Sequence, residues 1–172
     1  MLYVGDGMMF EDSGRVIKVT HDVLETLHRH IQLKLGCPES GGVLIGRENS
    51  SNNNLIIEYT TSPMSLDVQR RTKFERKDPS HVKYYEGLYN ESGGIYCYVG
   101  EWHTHPERVP NYSLIDLDSW KAILHDSGSI QGHFHMIAGI DAFRIWKLTD
   151  SKQKPKLMLS MNWRDVFLND GM

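Results

Sequence analysis

The chain has 172 residues, a formal net charge of −3 and 40% hydrophobic residues. This length and apolar content predict a single folded domain, residues 1–172, and exclude a largely disordered protein. The weak negative charge argues against a nucleic-acid partner, because domains that bind nucleic acid are usually strongly basic. Two cysteines are too few for a disulfide scaffold or a four-cysteine zinc module, so a metal site would need the histidines, of which there are nine, and carboxylates.

The same sequence predicts a cytoplasmic protein. Its first ten residues lack the basic and apolar segments of a secretory leader. No run of residues approaches the roughly 18 apolar positions that a membrane-spanning helix requires. We therefore expect no contact with a membrane.

Hydrophobic periodicity divides the chain into strands and helices. Apolar and β-branched runs predict strands at 15–19, 41–46, 55–59, 95–102, 132–140, 142–148 and 156–161. Helical spacing predicts helices from Thr20 to a stop at Gly36, over 80–91, around 117–124 and around 163–167. The intervening segment 62–78 has no clear period and should be exposed and partly irregular. This order is too irregular for a doubly wound parallel sheet and predicts an α+β fold, with a mixed sheet flanked by helices.

The most informative stretch is Glu101-Trp102-His103-Thr104-His105-Pro106, where a predicted strand ends. His103 and His105 are two residues apart, so both side chains point to the same side of the strand. Ser113 and Asp116 follow at the start of the next predicted helix, with the spacing of a capping box. Two imidazoles and one carboxylate form a known catalytic zinc set with an open fourth position. The alternatives are an ordinary pair of strand histidines and a capping box without a metal.

A metal-dependent hydrolase also needs a group that transfers protons. Glu39 is the candidate, because it lies between a predicted helix stop and the glycine-rich strand that begins at Gly41. A carboxylate at that point could face a site in the sheet. The alternative is a solvated loop acid.

Together these residues resemble the full motif of the JAMM (MPN+, Mov34/JAB) zinc metalloproteases. The matching positions are Glu39-x-x-Gly42, His103-x-His105-Pro106 and Ser113-x-x-Asp116. The resemblance covers residues 15–150 and implies that family's cytidine-deaminase-like architecture, a three-layer α/β/α-like fold with a curved mixed sheet. It implies that one zinc ion is bound by His103, His105 and Asp116. It also implies that Glu39 is the general acid/base and that Ser113 stabilises the oxyanion.

A narrower resemblance is to the compact prokaryotic JAB domains that occur beside E1- and E2-like proteins, including the deconjugases of bacterial anti-phage CBASS operons. The shared features are Phe74-x-Arg76-x-Asp78, the run from Gly100 to Glu107, and Asp116 followed by Trp120. This resemblance implies an isopeptidase or protease that cuts after the extended C-terminal tail of a conjugated protein, with E1/E2-like proteins as partners. Tyr112, where many relatives have proline, is a departure that puts the shape of the cleft mouth in question.

Four residues are candidates for substrate contact. They are Arg70, Arg71 and Arg76 in a basic run and Trp102 beside the first histidine of the motif. The basic run is either a solvated loop or a wall of the cleft that receives a carboxylate-bearing segment. Two other functions stay open, namely release of a sulfur-carrier protein from a cysteine adduct and a non-enzymatic scaffold of the same fold. A second pair, His133 and His135, is expected to consist of ordinary strand histidines.

Overall fold

A computed structural model of the protein describes residues 3–4 and 7–167. The described strands are β1 (Tyr3–Val4), β2 (Gly7–Asp12), β3 (Arg15–Thr20), β4 (Gly41–Glu48), β5 (Leu55–Thr60), β6 (Val68–Arg70), β7 (Lys73–Glu75), β8 (Tyr96–Thr104), β9 (His133–Ala138), β10 (Ala142–Leu148) and β11 (Lys156–Asn162). The described helices are α1 (His21–Arg29), α2 (Ser80–Glu91), α3 (Leu114–Ser127) and α4 (Trp163–Phe167).

Nine of these strands form one mixed sheet in the order β1-β2-β3-β5-β4-β8-β9-β10-β11. The β3–β5 and β8–β9 pairs are parallel, and the other neighbours are antiparallel. Strands β6 and β7 form a separate two-stranded hairpin. The predicted α+β fold with a mixed sheet and flanking helices is confirmed.

Side chains alternate between two cores on opposite faces of the sheet. Ile145 of β10 packs into the larger core together with α1 and α4, whereas its neighbour Trp146 packs into a smaller one against Trp120 of α3. Successive residues of a strand point to opposite faces, so one strand serves both cores. The sheet is thereby covered by α1 and α4 on one face and by α3 on the other. No helix among the described residues has the length and apolar content needed to cross a membrane.

Most predicted elements are found, but α1 ends at Arg29 rather than continuing to Gly36. Just after its end, His30 Nδ1 lies 2.7 Å from the carbonyl oxygen of Thr26. Gln32 then turns inward, with its side chain 2% exposed, whereas Leu35 is 79% exposed. The helical spacing of Leu35 was therefore misleading, because polar contacts of Gln32 with distant segments replace the next helical turn.

Segment 62–78 is more ordered than its sequence predicts. It contains the β6–β7 hairpin, and the side chain of Asp67 ties the two ends of this hairpin together. Asp67 Oδ1 accepts hydrogen bonds from the backbone N–H groups of Lys77 and Asp78, at 2.8 and 2.9 Å. The imidazole Nε2 of His81 lies 2.7 Å from Asp67 Oδ2 and is fully buried. These contacts fix the hairpin to the start of α2.

Candidate active site

Three potential metal ligands converge where β8 ends. The Nε2 atoms of His103 and His105 are 3.0 Å apart. The two carboxylate oxygens of Asp116 lie 3.1 Å from His103 Nε2 and 3.2 Å from His105 Nε2. The sheet supplies the histidines and α3 supplies the carboxylate, as the motif spacing predicts.

The first turn of α3 holds Asp116 in place through a complete capping box. The backbone N–H of Asp116 donates to Ser113 Oγ at 3.1 Å. In return, the backbone N–H and the hydroxyl of Ser113 donate to Asp116 Oδ2, at 2.6 and 2.8 Å. Capping therefore orients the carboxylate that faces the histidines.

The sheet holds the histidines on both sides. His103 is paired with Gly41 of β4 and with Ile137 of β9. Beyond the end of β8, the backbone N–H of His105 donates to the carbonyl oxygen of Ala138 at 3.1 Å. The separation of the two imidazoles is thus set by backbone pairing.

Glu39 lies just before β4 with only 5% of its surface exposed. Its backbone N–H donates to the carbonyl oxygen of Arg70 at 2.7 Å. Its own carbonyl oxygen accepts from the side-chain amide of Gln69 at 3.0 Å. The hairpin therefore holds both polar groups of the Glu39 backbone, and the expected alternative of a solvated loop acid does not apply.

The site shifts the pKa values of its acids in opposite directions. Burial raises the pKa of Glu39 to about 7, although the charge of His105 opposes this rise. Burial also acts to raise the pKa of Asp116, but hydrogen bonds with His103 and His105 outweigh it and hold that pKa far below its ordinary value. Burial acts to lower the pKa of His105, yet its contacts with Asp116 raise it overall. A carboxyl with a pKa near neutrality beside a permanently charged one is typical of acid–base sites.

Gly41 lets the hairpin approach the strand that follows Glu39. A Cβ atom at this position would lie 2.4 Å from the ring of Phe74 in β7 and 2.6 Å from the carbonyl oxygen of Trp102. A Cβ atom does not approach a non-bonded atom this closely, so any side chain would push the hairpin away. Gly42, the glycine of the sequence motif, is equally constrained, because a Cβ atom there would lie 2.1 Å from the carbonyl oxygen of Thr61.

The donor set fits zinc. Zinc binds imidazole nitrogen and carboxylate oxygen at about 2.0–2.2 Å in tetrahedral sites, which places neighbouring ligand atoms roughly 3.3 Å apart. The distances of 3.0 to 3.2 Å among His103, His105 and Asp116 are close to this value. The three side chains could therefore hold one ion with little rearrangement.

The four predicted substrate contacts have different surroundings. Trp102 is 1% exposed in the larger core, and its indole N–H donates to the carbonyl oxygen of Thr61 at 2.9 Å. We correct the expectation that it contacts substrate, because it points to the face opposite His103. Arg70 and Arg71 are exposed on the hairpin beside Glu39. Arg76 is ion-paired with Glu101 at 2.7 Å.

The second histidine pair is buried and does not belong to the cluster of His103, His105 and Asp116. The ring of His135 stacks on Trp120 with centroids 4.5 Å apart. Burial holds the pKa of His135 well below its ordinary value, so the ring is neutral. His133 Nε2 lies 3.4 Å from the hydroxyl oxygen of Ser127. Neither residue belongs to a group of three potential ligands among the described residues.

Sequence reasoning missed Gln69, Gln32 and Thr104, which hold Glu39 and the histidine segment together. Gln32 and Thr104 are buried and Gln69 is exposed, and each hydrogen-bonds a segment at least 29 residues away in the sequence. Single polar residues in a loop or strand carry no periodic signal. Only the topology reveals these contacts.

The family model described as prokaryotic homologs of the JAB domain matches residues 20–149. A protein of Escherichia coli (strain TW11681) named CD-NTase/cGAS isopeptidase is 35% identical over 113 residues, which cover 66% of this chain and 71% of that protein. A protein of Vibrio cholerae with the same name is 33% identical over 115 residues, covering 66% of this chain and 72% of that protein.

The solution structure of a Desulfitobacterium hafniense protein aligns with a TM-score of 0.57 and 18% identity, over 83% of this chain and 91% of that one. At this identity the likeness concerns the fold alone. The matched family region spans α1 to β10 and contains Glu39 and the three converging side chains. The chain therefore belongs to the family of prokaryotic homologs of the JAB domain.

Proposed function

We propose that the protein is a zinc-dependent isopeptidase that cleaves the bond after the C-terminal tail of a conjugated protein. The observation that carries this proposal is the convergence of His103, His105 and Asp116 in the same small region as the buried acid Glu39. An ordinary pair of strand histidines would not need a capped aspartate within 3.2 Å. Nor would it need a carboxyl with a raised pKa nearby.

In this proposal, one zinc ion is held by His103, His105 and Asp116. When bound, zinc lowers the pKa of a coordinated water to about 7 and polarises a substrate carbonyl. Because the pKa of Asp116 is lowered, its carboxylate is ionised at neutral pH, and a carboxylate must be ionised to bind a metal. Capping by Ser113 leaves the carboxylate few other orientations.

Glu39 moves the proton. Its pKa of about 7 in the metal-free protein lets the carboxyl both accept and release a proton near neutral pH, which is the condition for general acid–base catalysis. It takes a proton from the attacking water and delivers it to the leaving lysine amine. Hydrogen bonds to its backbone N–H and carbonyl oxygen fix the position of the Glu39 backbone, and this limits where the carboxyl group can lie.

Ser113 donates to the developing oxyanion once its hydroxyl turns from Asp116 Oδ2. Removing one donor of this kind costs about 10²–10³ in rate at comparable sites. The backbone N–H of Ser113 stays on Asp116 through this rotation, so the helix cap is only partly lost. Ser113 thus both caps α3 and stabilises the transition state.

The substrate class follows from the relatives. The name of these relatives, CD-NTase/cGAS isopeptidase, supports a CD-NTase joined through its C-terminal tail to a lysine as the substrate. The conjugating partners are then E1- and E2-like proteins, and the setting is bacterial anti-phage defence in the cytoplasm. Arg70 and Arg71, exposed on the hairpin beside Glu39, face the tail as it enters. Arg76 adds a third cation, oriented by Glu101.

The test is to incubate the zinc-loaded protein with a purified CD-NTase conjugate and to identify the products by intact-mass spectrometry. We expect release of the CD-NTase with an intact C-terminal carboxylate and an unmodified lysine on the target. Glu39→Ala with full zinc occupancy should release neither. A sulfur-carrier protein joined to cysteine is the comparison substrate, and its cleavage in place of the conjugate would overturn the proposed substrate class. A zinc-loaded wild-type protein inactive on both would refute the enzyme.

A further inference from the structure

Thr104 lies between the two histidines of the motif and points away from them. Its side chain is fully buried, on the face of the strand opposite His103. The hydroxyl of Thr104 accepts a hydrogen bond from the backbone N–H of Ser40 at 2.9 Å. The backbone N–H of Thr104 donates to the carbonyl oxygen of Ser40, also at 2.9 Å. Thr104 therefore holds the residue that directly follows Glu39 with both its backbone and its side chain.

Gln32, in the connection that follows α1, completes this set of contacts. Its carbonyl oxygen accepts the hydroxyl proton of Thr104 at 3.0 Å. Its amide nitrogen donates to the carbonyl oxygens of Cys37, at 3.0 Å, and Arg71, at 2.8 Å. Every strong hydrogen-bonding site of this buried amide, apart from one lone pair, is thus used. The side chain connects β8, the loop before Glu39 and the hairpin.

These contacts matter because Glu39 itself belongs to no helix or strand. Helix α1 ends at Arg29 and β4 begins only at Gly41, so Glu39 lies on an irregular connection. The histidines, in contrast, are fixed by the sheet. The hairpin holds the Glu39 backbone, but the hydrogen bonds that join this connection directly to β8 run through Thr104, which Gln32 supports.

We propose that Thr104 and Gln32 are positioning residues that set the distance between the Glu39 carboxyl and the histidine pair. Neither residue touches the substrate or the metal, and both act through Ser40 and the loop that carries Glu39. This inference rests on the proposed function, since it assigns the two residues a part in that reaction. Misplacing a proton-transfer group by about 1 Å typically costs about 10²-fold in rate.

The decisive comparison is Thr104→Val against Thr104→Ser. Valine keeps the shape of threonine but removes the hydroxyl, leaving the Ser40 N–H and the Gln32 carbonyl without their partner. Serine keeps the hydroxyl and loses only a methyl group. We expect kcat to fall about 30- to 100-fold in Thr104→Val, with KM within about twofold of wild type, and Thr104→Ser to restore most of it.

Gln32→Glu tests the other half of the network. It keeps the acceptor for Thr104 but removes the two donors to Cys37 and Arg71, so we expect an intermediate loss of kcat. Ile17→Val, which removes a buried methylene in β3, is the control for stability alone and should keep the wild-type kcat. Zinc stoichiometry should stay at one per chain in all four variants.

A readout that needs no substrate separates this inference from the proposed function. In the metal-free protein, amide hydrogen exchange at Glu39 and Ser40 should accelerate at least tenfold in Thr104→Val but not in Thr104→Ser or Ile17→Val. Unchanged exchange, a wild-type kcat in Thr104→Val, or loss of zinc in that variant would each overturn the inference. An inactive wild-type protein whose exchange follows the expected pattern would instead refute the proposed function alone.

Discussion

Ser113 and Asp116 hydrogen-bond each other three times, through the two backbone N–H groups and the serine hydroxyl. The same carboxylate faces His103 and His105. Capping of α3 and orientation of the proposed metal ligand Asp116 are therefore one arrangement, and a change at Ser113 must affect both. Variants of Ser113 should therefore change folding stability and zinc affinity as well as the reaction rate, which distinguishes Ser113 from Glu39.

For Ser113→Ala we expect three effects. The free energy of unfolding should fall by about 1 kcal/mol, because a helix cap is lost. Zinc should bind about 10-fold more weakly, since the carboxylate loses an orienting hydrogen bond. At saturating zinc, kcat should still fall about 10²–10³-fold through the lost oxyanion donor. Urea denaturation, zinc titration and steady-state kinetics measure these effects, and a wild-type kcat at saturating zinc would contradict the oxyanion role.

The raised pKa of Glu39 predicts how the stability of the metal-free protein depends on pH. Its pKa is about 7 in the folded state, against 4.5 for an ordinary glutamate. Its contribution to folding is therefore fully present below pH 4.5 and is lost as the pH rises through 7. The glutamine of Glu39→Gln cannot ionise. The free energy of unfolding of this variant, relative to that of wild type, should therefore rise by about 2–3 kcal/mol as the pH increases from 4.5 to 8.

Urea denaturation of chelator-treated protein across this range provides the measurement for Glu39. Glu86→Gln, at an exposed position of α2, is the matched control. A difference between Glu39→Gln and wild type that stays constant from pH 4.5 to pH 8 would show that burial does not perturb this carboxyl.

Metal removal should lower the melting temperature without unfolding the protein at 25 °C. Zinc at about 1,000 times its Kd stabilises the folded state by about 4 kcal/mol. For a domain of this size, that corresponds to roughly 8–16 °C in Tm. His103→Ala should show no zinc-dependent shift and no zinc by elemental analysis, whereas His125→Ala, exposed on α3, should behave as wild type. Full zinc occupancy in His103→Ala would refute the ligand set.

The exposed arginines of the hairpin should act on substrate binding alone. Replacing Arg70 and Arg71 by alanine keeps the backbone carbonyls that hold Glu39 and Gln32. We expect KM for a conjugate to rise about 5- to 10-fold at low salt with kcat unchanged, and the effect to shrink as salt increases. The matched control replaces two exposed lysines after β10, Lys152 and Lys154. Equal effects of the two double variants would remove the case for a specific tail contact.

Local patterns were sufficient for much of the fold. The capping-box spacing of Ser113 and Asp116 predicted both the start of α3 and the orientation of its carboxylate. The period of α2 predicted its limits, Ser80–Glu91. Strand alternation placed His103 and His105 on one side. The same alternation puts Trp102 on the opposite face, so its burial could also have been predicted.

The position of Glu39 could not be predicted in this way. Its burial depends on Gln69, 30 residues further along the chain, and on the adjoining carbonyl of Arg70. The early end of α1 has the same origin, because Gln32 bonds Arg71 and Thr104, which lie 39 and 72 residues away. Contacts over such separations leave no periodic trace in a single sequence. The fold has to be known before they can be seen.

The backbone pairing of His103 and His105 has a consequence for how the proposed zinc site would acquire its ion. Strands β4 and β9 flank the segment that carries both imidazoles, so the cation enters a site whose shape is already complete. Zinc would then bind to and leave a site that is already folded, so that metal binding is not coupled to folding of the chain. Activity would follow the supply of zinc reversibly, while the protein itself persists in either condition.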